Sequence, residues 1–253
     1  MASGTVLYIV TGTSRGLGAA LAEQLLGADV TLLGIARRSR PELQAAASAR
    51  DARVEQWEAD LAEPVAVAAR LERWLAGFDA NAVRGATLIN NAAALSRVGP
   101  IDADDDAAIA TAMRVGLEAP MLLTAAFLRA TREWAAPRRV LNISSGLGRR
   151  AMAGAAAYCA AKAGMDHFSR AVALDEAARS NGARIVSLAP GVIDTDMQVA
   201  LRSADPGGFP EQSVFKGLKT SGQLTSASDA AARVVAFLAR ADFGTEPVAD
   251  VRG

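Results

Sequence analysis

Short apolar runs bounded by turn residues recur along the chain and alternate with longer segments of helical period. Each run predicts a buried parallel strand, because a strand covered on both faces is apolar along its length. The predicted strands are Val6–Thr11, Val30–Ala36, Val54–Trp57, Thr87–Asn90, Arg139–Ser144 and Arg184–Ala189. The predicted helices are Gly18–Gly27, Pro64–Ala76, Asp104–Trp134, Tyr158–Ser180 and Ser228–Ala239. This alternation is typical of an α/β fold with a doubly wound parallel sheet and helices on both faces.

The last part of the chain departs from this rhythm. Ser203–Gln223 contains two prolines and two glycines close together. Such an insertion commonly covers the ligand of an α/β enzyme, so we expect the segment from about residue 192 to 223 to cover the substrate. Pro247–Val251 is a candidate closing edge strand. No linker, repeat or low-complexity block divides the chain, which favours a single domain over residues 1–253.

The composition narrows the class of partner. The chain has 253 residues, 51% of them hydrophobic, and its 27 basic and 27 acidic side chains give a net charge of zero. No basic run indicates nucleic acid or an anionic membrane, so we expect a small-molecule partner. No basic leader followed by a long apolar run opens the sequence, which favours a cytoplasmic protein.

Two residue types are too rare for several kinds of site. One cysteine, Cys159, and one histidine, His167, cannot supply disulfides, Cys/His zinc sites or a Ser-His-Asp triad. Asp102 and Asp104–Asp106 could be ligands of a metal ion, but the side chains of three consecutive helical residues cannot all face one ion. We favour capping of the following helix and expect no metal.

A glycine-rich turn follows the first predicted strand. It runs Thr11-Gly12-Thr13-Ser14-Arg15-Gly16-Leu17-Gly18, with the helical pattern directly behind it. Glycines let the backbone approach a pyrophosphate, and the helix N-terminus adds free N–H groups and a positive dipole end. The order of strand, turn and helix predicts a Rossmann-type dinucleotide site. Its spacing, Gly-x-x-x-Gly-x-Gly, differs from the commoner Gly-x-Gly-x-x-Gly.

The residues after the second predicted strand favour NADPH over NADH. An acidic side chain about 20 positions beyond the turn would bind the ribose 2′-hydroxyl of NADH. Here Arg37 stands 19 positions after Gly18, and Arg15 lies inside the turn. Guanidinium groups suit a 2′-phosphate, because they bind it through charge-assisted bidentate hydrogen bonds. The alternative is two solvated arginines.

Tyr158 and Lys162 form the sharpest candidate for chemistry. The chain has only two tyrosines and three lysines, so their spacing as Tyr-x-x-x-Lys has a low chance of being accidental. Residues four apart share one face of a helix, and an ammonium beside a phenol is expected to lower the phenol pKa. The pair could protonate a carbonyl oxygen. The alternative is an ordinary amphipathic helix with a solvated lysine.

Together these motifs resemble those of the short-chain dehydrogenase/reductase family over essentially the whole chain. Asp60 matches the family's adenine-contacting Asp, Asn90-Asn91-Ala92-Ala93 its Asn-Asn-Ala-Gly, and Ser145, 13 positions before the tyrosine, its catalytic serine. The resemblance implies a catalytic set of Ser145, Tyr158 and Lys162. It also implies NADPH contacts from Gly12, Ser14, Arg15, Gly16, Leu17, Gly18, Arg37, Asp60, Leu61, Asn91, Ala92, Tyr158, Lys162, Pro190, Gly191, Val192, Ile193 and Thr195.

Within the family, the stretches 139–146, 157–162 and 189–198 are most similar to those of bacterial benzil reductases and sepiapterin reductases. This implies reduction of a ketone, an α-diketone or a pterin side-chain carbonyl, with Ser145, Tyr158, Met197 and Asp250 touching the substrate. Asp250 could instead be a frayed terminal residue. A roomy apolar pocket for a bulky aromatic ketone or diketone fits the residues between Ser145 and Tyr158 and in the covering segment, namely Met152, Ala155, Ala156, Ala157, Met197, Phe209 and Phe215. The alternative is that these residues simply belong to the core.

Two further expectations come from the resemblance. The helices predicted over Asp104–Trp134 and Tyr158–Ser180 look like the family's dimer-forming helices, which implies a homodimer. Gly116 stands where the family usually has an Asn that holds a water in the proton relay. Glycine there can keep a backbone irregularity but offers no side chain. With Ala93, it supports an alternative function as a catalytically weak NADP(H)-binding sensor.

Overall fold

The computed structural model describes residues 4–252, in which seven parallel strands form one sheet. The strands are β1 (Thr5–Thr11), β2 (Val30–Ala36), β3 (Arg53–Glu58), β4 (Val83–Asn90), β5 (Arg138–Ile143), β6 (Arg184–Ala189) and β7 (Val248–Asp250). Their order across the sheet is β3-β2-β1-β4-β5-β6-β7. The predicted doubly wound α/β fold is confirmed, and the closing edge strand is β7.

Helices cover both faces of the sheet. They are α1 (Gly16–Gln24), α2 (Pro41–Ser48), α3 (Pro64–Ala76), α4 (Asp106–Met113), α5 (Ala119–Ala130), α6 (Ala156–Ala177), α7 (Asp196–Ser203), α8 (Gln212–Thr220) and α9 (Ala227–Leu238). One apolar core lies between the sheet and α1, α2 and α9, with Leu21 and Val234 fully buried. The other lies beneath α3, α5 and α6, with Leu71 and Phe127 fully buried.

The order of connections reverses between β1 and β4. The chain moves outward from β1 to β3, crosses back to β4 on the other side of β1, and then continues to β7. Beyond the carboxyl ends of two strands related in this way, the flanking loops separate and leave a crevice. The glycine-rich turn after β1 and the Asn-Asn-Ala-Ala segment after β4 therefore meet at this crevice.

Helix α2 is absent from the prediction. It has eight residues, and only Leu43 and Ala47 are buried, one turn apart. So short an apolar face gives little periodic signal. The one local indication is Pro41 in the first helical turn, where a missing N–H costs no hydrogen bond.

The single helix predicted over Asp104–Trp134 is wrong. The structure has α4 and α5 joined by a π-helical turn, Arg114–Glu118, which contains Gly116. Pro120, at the start of α5, has no N–H to donate to the carbonyl of residue 116. The wider turn instead lets Ala119 N–H bond to the carbonyl oxygen of Arg114, five residues back. The preceding aspartates do cap α4, since the Asp105 carboxylate accepts a hydrogen bond from Ala107 N–H at 2.8 Å.

The turn-rich insertion is more ordered than its composition predicts, because it contains α8 and follows directly on α7. We call residues 194–224 the cap. Its two ends lie side by side: Asp194 N–H donates to the carbonyl of Thr225 and Thr225 N–H to the carbonyl of Val192, both at 2.9 Å. The cap therefore leaves the fold and returns to it at one place.

By length and composition alone, one helical stretch among residues 4–252, Asp106–Ala130, could cross a membrane. Half of its most apolar window is buried inside the protein. Its second part, α5, packs against α3 in the core beneath the sheet. The expectations of no membrane partner and a cytoplasmic location stay predictions.

Candidate active site

The glycine-rich turn packs its backbone too tightly for any other residue at two positions. Gly12 has φ +75°, in the left-handed region that favours glycine. A Cβ on Gly18 would lie 2.2 Å from the carbonyl oxygen of Gly12 and 2.4 Å from Nδ2 of Asn91. This closeness brings the N-terminus of α1 directly onto the end of β1. The result is a cradle of backbone N–H groups suited to a pyrophosphate.

A buried threonine joins this turn to the neighbouring strand. The Thr11 hydroxyl accepts hydrogen bonds from Asn91 N–H at 2.9 Å and Ala92 N–H at 3.0 Å. The Asn91 side-chain amide donates in turn to the Thr11 carbonyl at 2.9 Å. The three bonds fix the segment after β4 against the turn after β1, so both walls of the crevice are held at a constant separation.

The two arginines of the cofactor prediction differ in their surroundings. Arg15 pairs with Asp196, the first residue of α7, at 2.5 Å. Arg37 is exposed at the end of β2, lines the cleft, and forms no ion pair within residues 4–252. Its guanidinium is therefore available to a 2′-phosphate, while Arg15 is shared with the cap. Asp60 and Leu61 line the same end of the cleft.

Tyr158 and Lys162 lie in the first and second turns of α6. The Lys162 ammonium is buried, donates to the carbonyl oxygen of Ile143 at 2.7 Å, and lies 5.6 Å from the centroid of the Tyr158 ring. The carbonyl at the end of β5 thus holds the lysine beside the phenol. The predicted proximity of the pair is observed.

The predicted pKa effect of the lysine is wrong. Burial raises the pKa of Tyr158 to about 12, and only a hydrogen bond with Ser145 opposes it. Burial also lowers the pKa of Lys162 to about 8, against the attraction of Asp166. Desolvation outweighs the local charge for both groups, because each loses more hydration than its partner restores. Tyr158 is consequently a protonated phenol at neutral pH, the form that donates a proton.

The two adjacent serines have separate roles. Ser144 is buried, and its hydroxyl donates to the carboxylate of Asp166 at 2.5 Å. Ser145 lines the cleft, accepts Leu147 N–H at 3.2 Å, and hydrogen-bonds with Tyr158. Ser145 therefore keeps its hydroxyl at the cleft, while that of Ser144 is turned to Asp166, and Ser145 also caps the short turn Gly146–Gly148.

These elements enclose one cleft of about 1160 Å³. All the residues predicted to bind the cofactor line it, as do Ser145, Met197, Met152 and Phe215. Cofactor and substrate residues thus share one continuous space. Phe209 is fully buried behind Phe215 and stacks on it with ring centroids 5.7 Å apart, so it supports the wall without reaching the cleft.

Asp250 lies outside this cleft. It ends β7, which pairs with β6, so it is not frayed. Its carboxylate receives two hydrogen bonds from the Arg252 guanidinium, at 2.8 and 2.7 Å, which hold its pKa below its usual range. Arg252, rather than Asp250, reaches the cleft. We therefore leave Asp250 out of the proposed substrate contacts.

The polar cluster that lies next to Lys162 is not predicted from the sequence. Asp166, one helical turn beyond Lys162, is buried and accepts hydrogen bonds from Ser144, Ser187 and Arg149. The available signal was an acidic side chain four residues after Lys162, which places it on the same buried face of α6. Only the tertiary structure supplies its partners, because Ser144 and Ser187 come from two different strands.

Comparison with known proteins points to one family. A family model described as short chain dehydrogenase matches residues 7–206. A benzil reductase ((S)-benzoin forming) of Bacillus cereus is 36% identical over 218 residues, 86% of this chain and 88% of that protein. A sepiapterin reductase of Rattus norvegicus is 30% identical over 261 residues, 95% and 94% of the two chains. A crystal structure of a short-chain dehydrogenase/reductase from Burkholderia vietnamiensis is 38% identical with a TM-score of 0.65, covering 98% of this chain and 99% of that one.

Proposed function

The chain belongs to the short chain dehydrogenase family of oxidoreductases, and from that premise we propose that it is an NADPH-dependent carbonyl reductase acting on a ketone or α-diketone. The observation that carries the proposal is the meeting of Ser145, Tyr158 and Lys162 at one wall of a cleft whose other end is the glycine cradle. The family uses NAD or NADP. The preference for NADPH and the substrate class are our inference.

The residues present fit a dinucleotide. Gly12 and Gly18 leave a cradle that any side chain would fill, and the guanidinium of the exposed Arg37 forms no ion pair with the residues that the structure describes. We propose that the N-terminus of α1 holds the pyrophosphate, Arg37 the 2′-phosphate, and Asp60 the adenine. Pro190–Thr195 and Lys162 would hold the nicotinamide half. NADPH, when bound, supplies the hydride.

The protein's own part of the reaction is proton donation and charge stabilisation. Tyr158 donates its phenolic proton to the carbonyl oxygen as that oxygen gains charge. Ser145 donates a hydrogen bond to the same oxygen from a preorganised position. Lys162 places a positive charge beside the phenolate that forms, which stabilises it. The apolar wall at Met152, Met197 and Phe215 excludes water and suits aromatic groups flanking the carbonyl.

The proposal is tested by following NADPH absorbance with benzil, other α-diketones and sepiapterin as substrates. We expect NADPH oxidation with at least one α-diketone and formation of the hydroxyketone. The alternative is the NADP(H) sensor, favoured only by Gly116 and Ala93. Saturable NADPH binding, measured by fluorescence, without turnover of any compound in the panel would support the sensor and contradict the reductase.

Replacement of Arg37 by glutamate will reverse the charge at the proposed 2′-phosphate contact. Charge-assisted hydrogen bonds contribute about 1.5–3 kcal/mol, so the ratio of NADPH to NADH affinity should fall by roughly 10–100-fold. The control is Arg38→Glu, the same charge change one residue on, at a side chain that does not line the cleft. Equal shifts in the two variants, measured by fluorescence titration, would refute the assignment of Arg37.

The homodimer is retained as a proposal. Met121 on α5 and Leu174 on α6 are large hydrophobic side chains that are 40% and 75% exposed. Burial of these side chains against a second copy would remove apolar surface from water.

A further inference from the structure

We propose that Asp166 is a positioning residue of the active site: its buried carboxylate ties the loop that carries Ser145 to the helix that carries Lys162 and sets negative charge behind the lysine. This inference rests on the proposed function, in which Ser145 and Lys162 act. Asp166 does not line the cleft and touches no reacting atom, so it acts through its neighbours.

The carboxylate is the meeting point of four segments. Its Oδ1 accepts Ser144 Oγ at 2.5 Å, from the end of β5, and Ser187 Oγ at 2.7 Å, from β6. Its Oδ2 accepts Arg149 Nε at 3.3 Å, and Arg149 also donates to the carbonyl of Ala249 in β7 at 2.7 Å. Both serines are buried, so these bonds are sheltered from water and form without competition.

The short turn Gly146–Gly148, which follows Ser145, packs directly against the carboxylate of Asp166. A Cβ on Gly148 would lie 2.8 Å from Oδ2 of Asp166 and 2.9 Å from the carbonyl oxygen of Lys162. The turn therefore touches the acid and the lysine backbone together. A shift of Asp166 moves the segment that holds Ser145 relative to Lys162, and misplacement of a catalytic group by about 1 Å can cost roughly 100-fold in rate.

Few other charges reach Lys162. The π-helical turn presents uncharged groups to α6, since Gly116 faces Ala161 and Leu117 faces Gly164. The remaining ionisable groups near the cluster are Tyr158 and Cys159 on α6, Arg149 after the Gly146–Gly148 turn, and Asp250 on β7 behind that arginine. Asp166 is the anion that opposes the desolvation of the Lys162 ammonium.

The charge of Asp166 can be removed without changing its shape, by Asp166→Asn. Lysine labelled with carbon-13 reports the ionisation directly, because the chain has three lysines and Lys162→Arg identifies the signal of interest. The Lys162 midpoint should be near 8 in the unmodified chain. A nearby opposite charge shifts a pKa by about 1–3 units, so the midpoint should fall by at least about one pH unit in the variant.

Arg149→Met provides a second test, in which the Lys162 midpoint is expected to shift in the opposite direction. It removes the cation that faces Asp166 from a partly exposed site, so the chain should fold even if Asp166→Asn does not. The Lys162 midpoint should then rise. Asp175→Asn, the same change at an exposed position of α6, is the control and should leave the midpoint unmoved. An unchanged midpoint in folded Asp166→Asn, or a fall in Arg149→Met, overturns the inference.

The pH profile of kcat adds the catalytic readout. In the proposed reaction Tyr158 carries its proton and Lys162 its positive charge, and Lys162, with a pKa of about 8, is the first of the two to lose its proton as the pH rises. A lower Lys162 pKa therefore moves the alkaline limb of carbonyl reduction to lower pH. Asp166→Asn should show this shift and Arg149→Met its reverse, with NADPH affinity within about threefold of the unmodified chain. A merely structural role would lower activity at every pH without moving the limb. The lysine titration needs no turnover, so a moved midpoint without carbonyl reduction contradicts the proposed function alone.

Discussion

Tyr158→Phe will lower kcat for carbonyl reduction by a factor of about 10²–10⁴, because the variant keeps the ring but loses the proton that Tyr158 donates. The half-buried phenol is protonated at neutral pH, since its pKa is raised to about 12, so the proton donor is present before the change. Steady-state NADPH oxidation with an α-diketone measures the loss. NADPH affinity should stay within severalfold, because the cradle around Gly18 is built from backbone and the variant keeps the aromatic ring at position 158.

Tyr8→Phe is the matched control, since Tyr8 is the other tyrosine of the chain and lies in β1 outside the cleft. It removes the same hydroxyl and should retain activity. Turnover retained in Tyr158→Phe would show that another group donates the proton. A parallel loss in both variants would point to general damage by loss of a phenol rather than to catalysis.

Gly18→Ala will disrupt the cradle. The added methyl would stand 2.2 Å from the carbonyl oxygen of Gly12, and neither backbone segment can move without parting α1 from β1. Overpacking of this kind costs about 1–3 kcal/mol of unfolding free energy. The shift should also displace the pyrophosphate by about 1 Å and lower kcat/KM for NADPH by roughly 100-fold. Denaturant unfolding and steady-state kinetics measure the two effects.

Gly217→Ala is the control for this change. Gly217 lies inside α8, and a Cβ there would meet nothing within 4 Å. Alanine favours a helix over glycine by about 1 kcal/mol, so this variant should be as stable as the unmodified chain or more so. If Gly18→Ala also keeps its stability and its NADPH kinetics, the close approach of α1 to β1 is not needed for cofactor binding.

Most strands could be predicted from sequence because they are apolar runs long enough to be recognised, whereas β3 alternates polar and apolar residues at the edge of the sheet. Helix α2 could not, since it buries only Leu43 and Ala47 and is surrounded by alanines and polar residues. The break between α4 and α5 depends on Pro120, whose missing N–H ends regular helix without interrupting the apolar pattern. Gly116 was therefore the only residue whose type indicated a backbone irregularity at the π-helical turn.

For the active site, helical spacing identified Tyr158 and Lys162, because residues four apart share one face of a helix, and the resemblance to the family identified Ser145. The sequence could not give the direction in which the Tyr158 pKa is shifted, since desolvation depends on the segments that cover the phenol. Asp166 was missed for a related reason. Its partners Ser144 and Ser187 lie 22 and 21 residues away in the sequence, and only the sheet brings them together.

The paired ends of the cap have a consequence for how this protein could change its substrate. Residues 192–194 bond to Thr225, so the intervening chain is a loop whose two ends meet at one place. It also contacts the rest of the protein through the side-chain ion pairs Arg15–Asp196 and Arg150–Glu211. The entropy of closing a loop grows only slowly with its length, by about 0.6 kcal/mol for each doubling. Insertions, deletions or a grafted cap from a relative would therefore cost the sheet little. Substrate preference could diversify by replacement of this one segment while the hydride-transfer machinery beneath it is inherited unchanged.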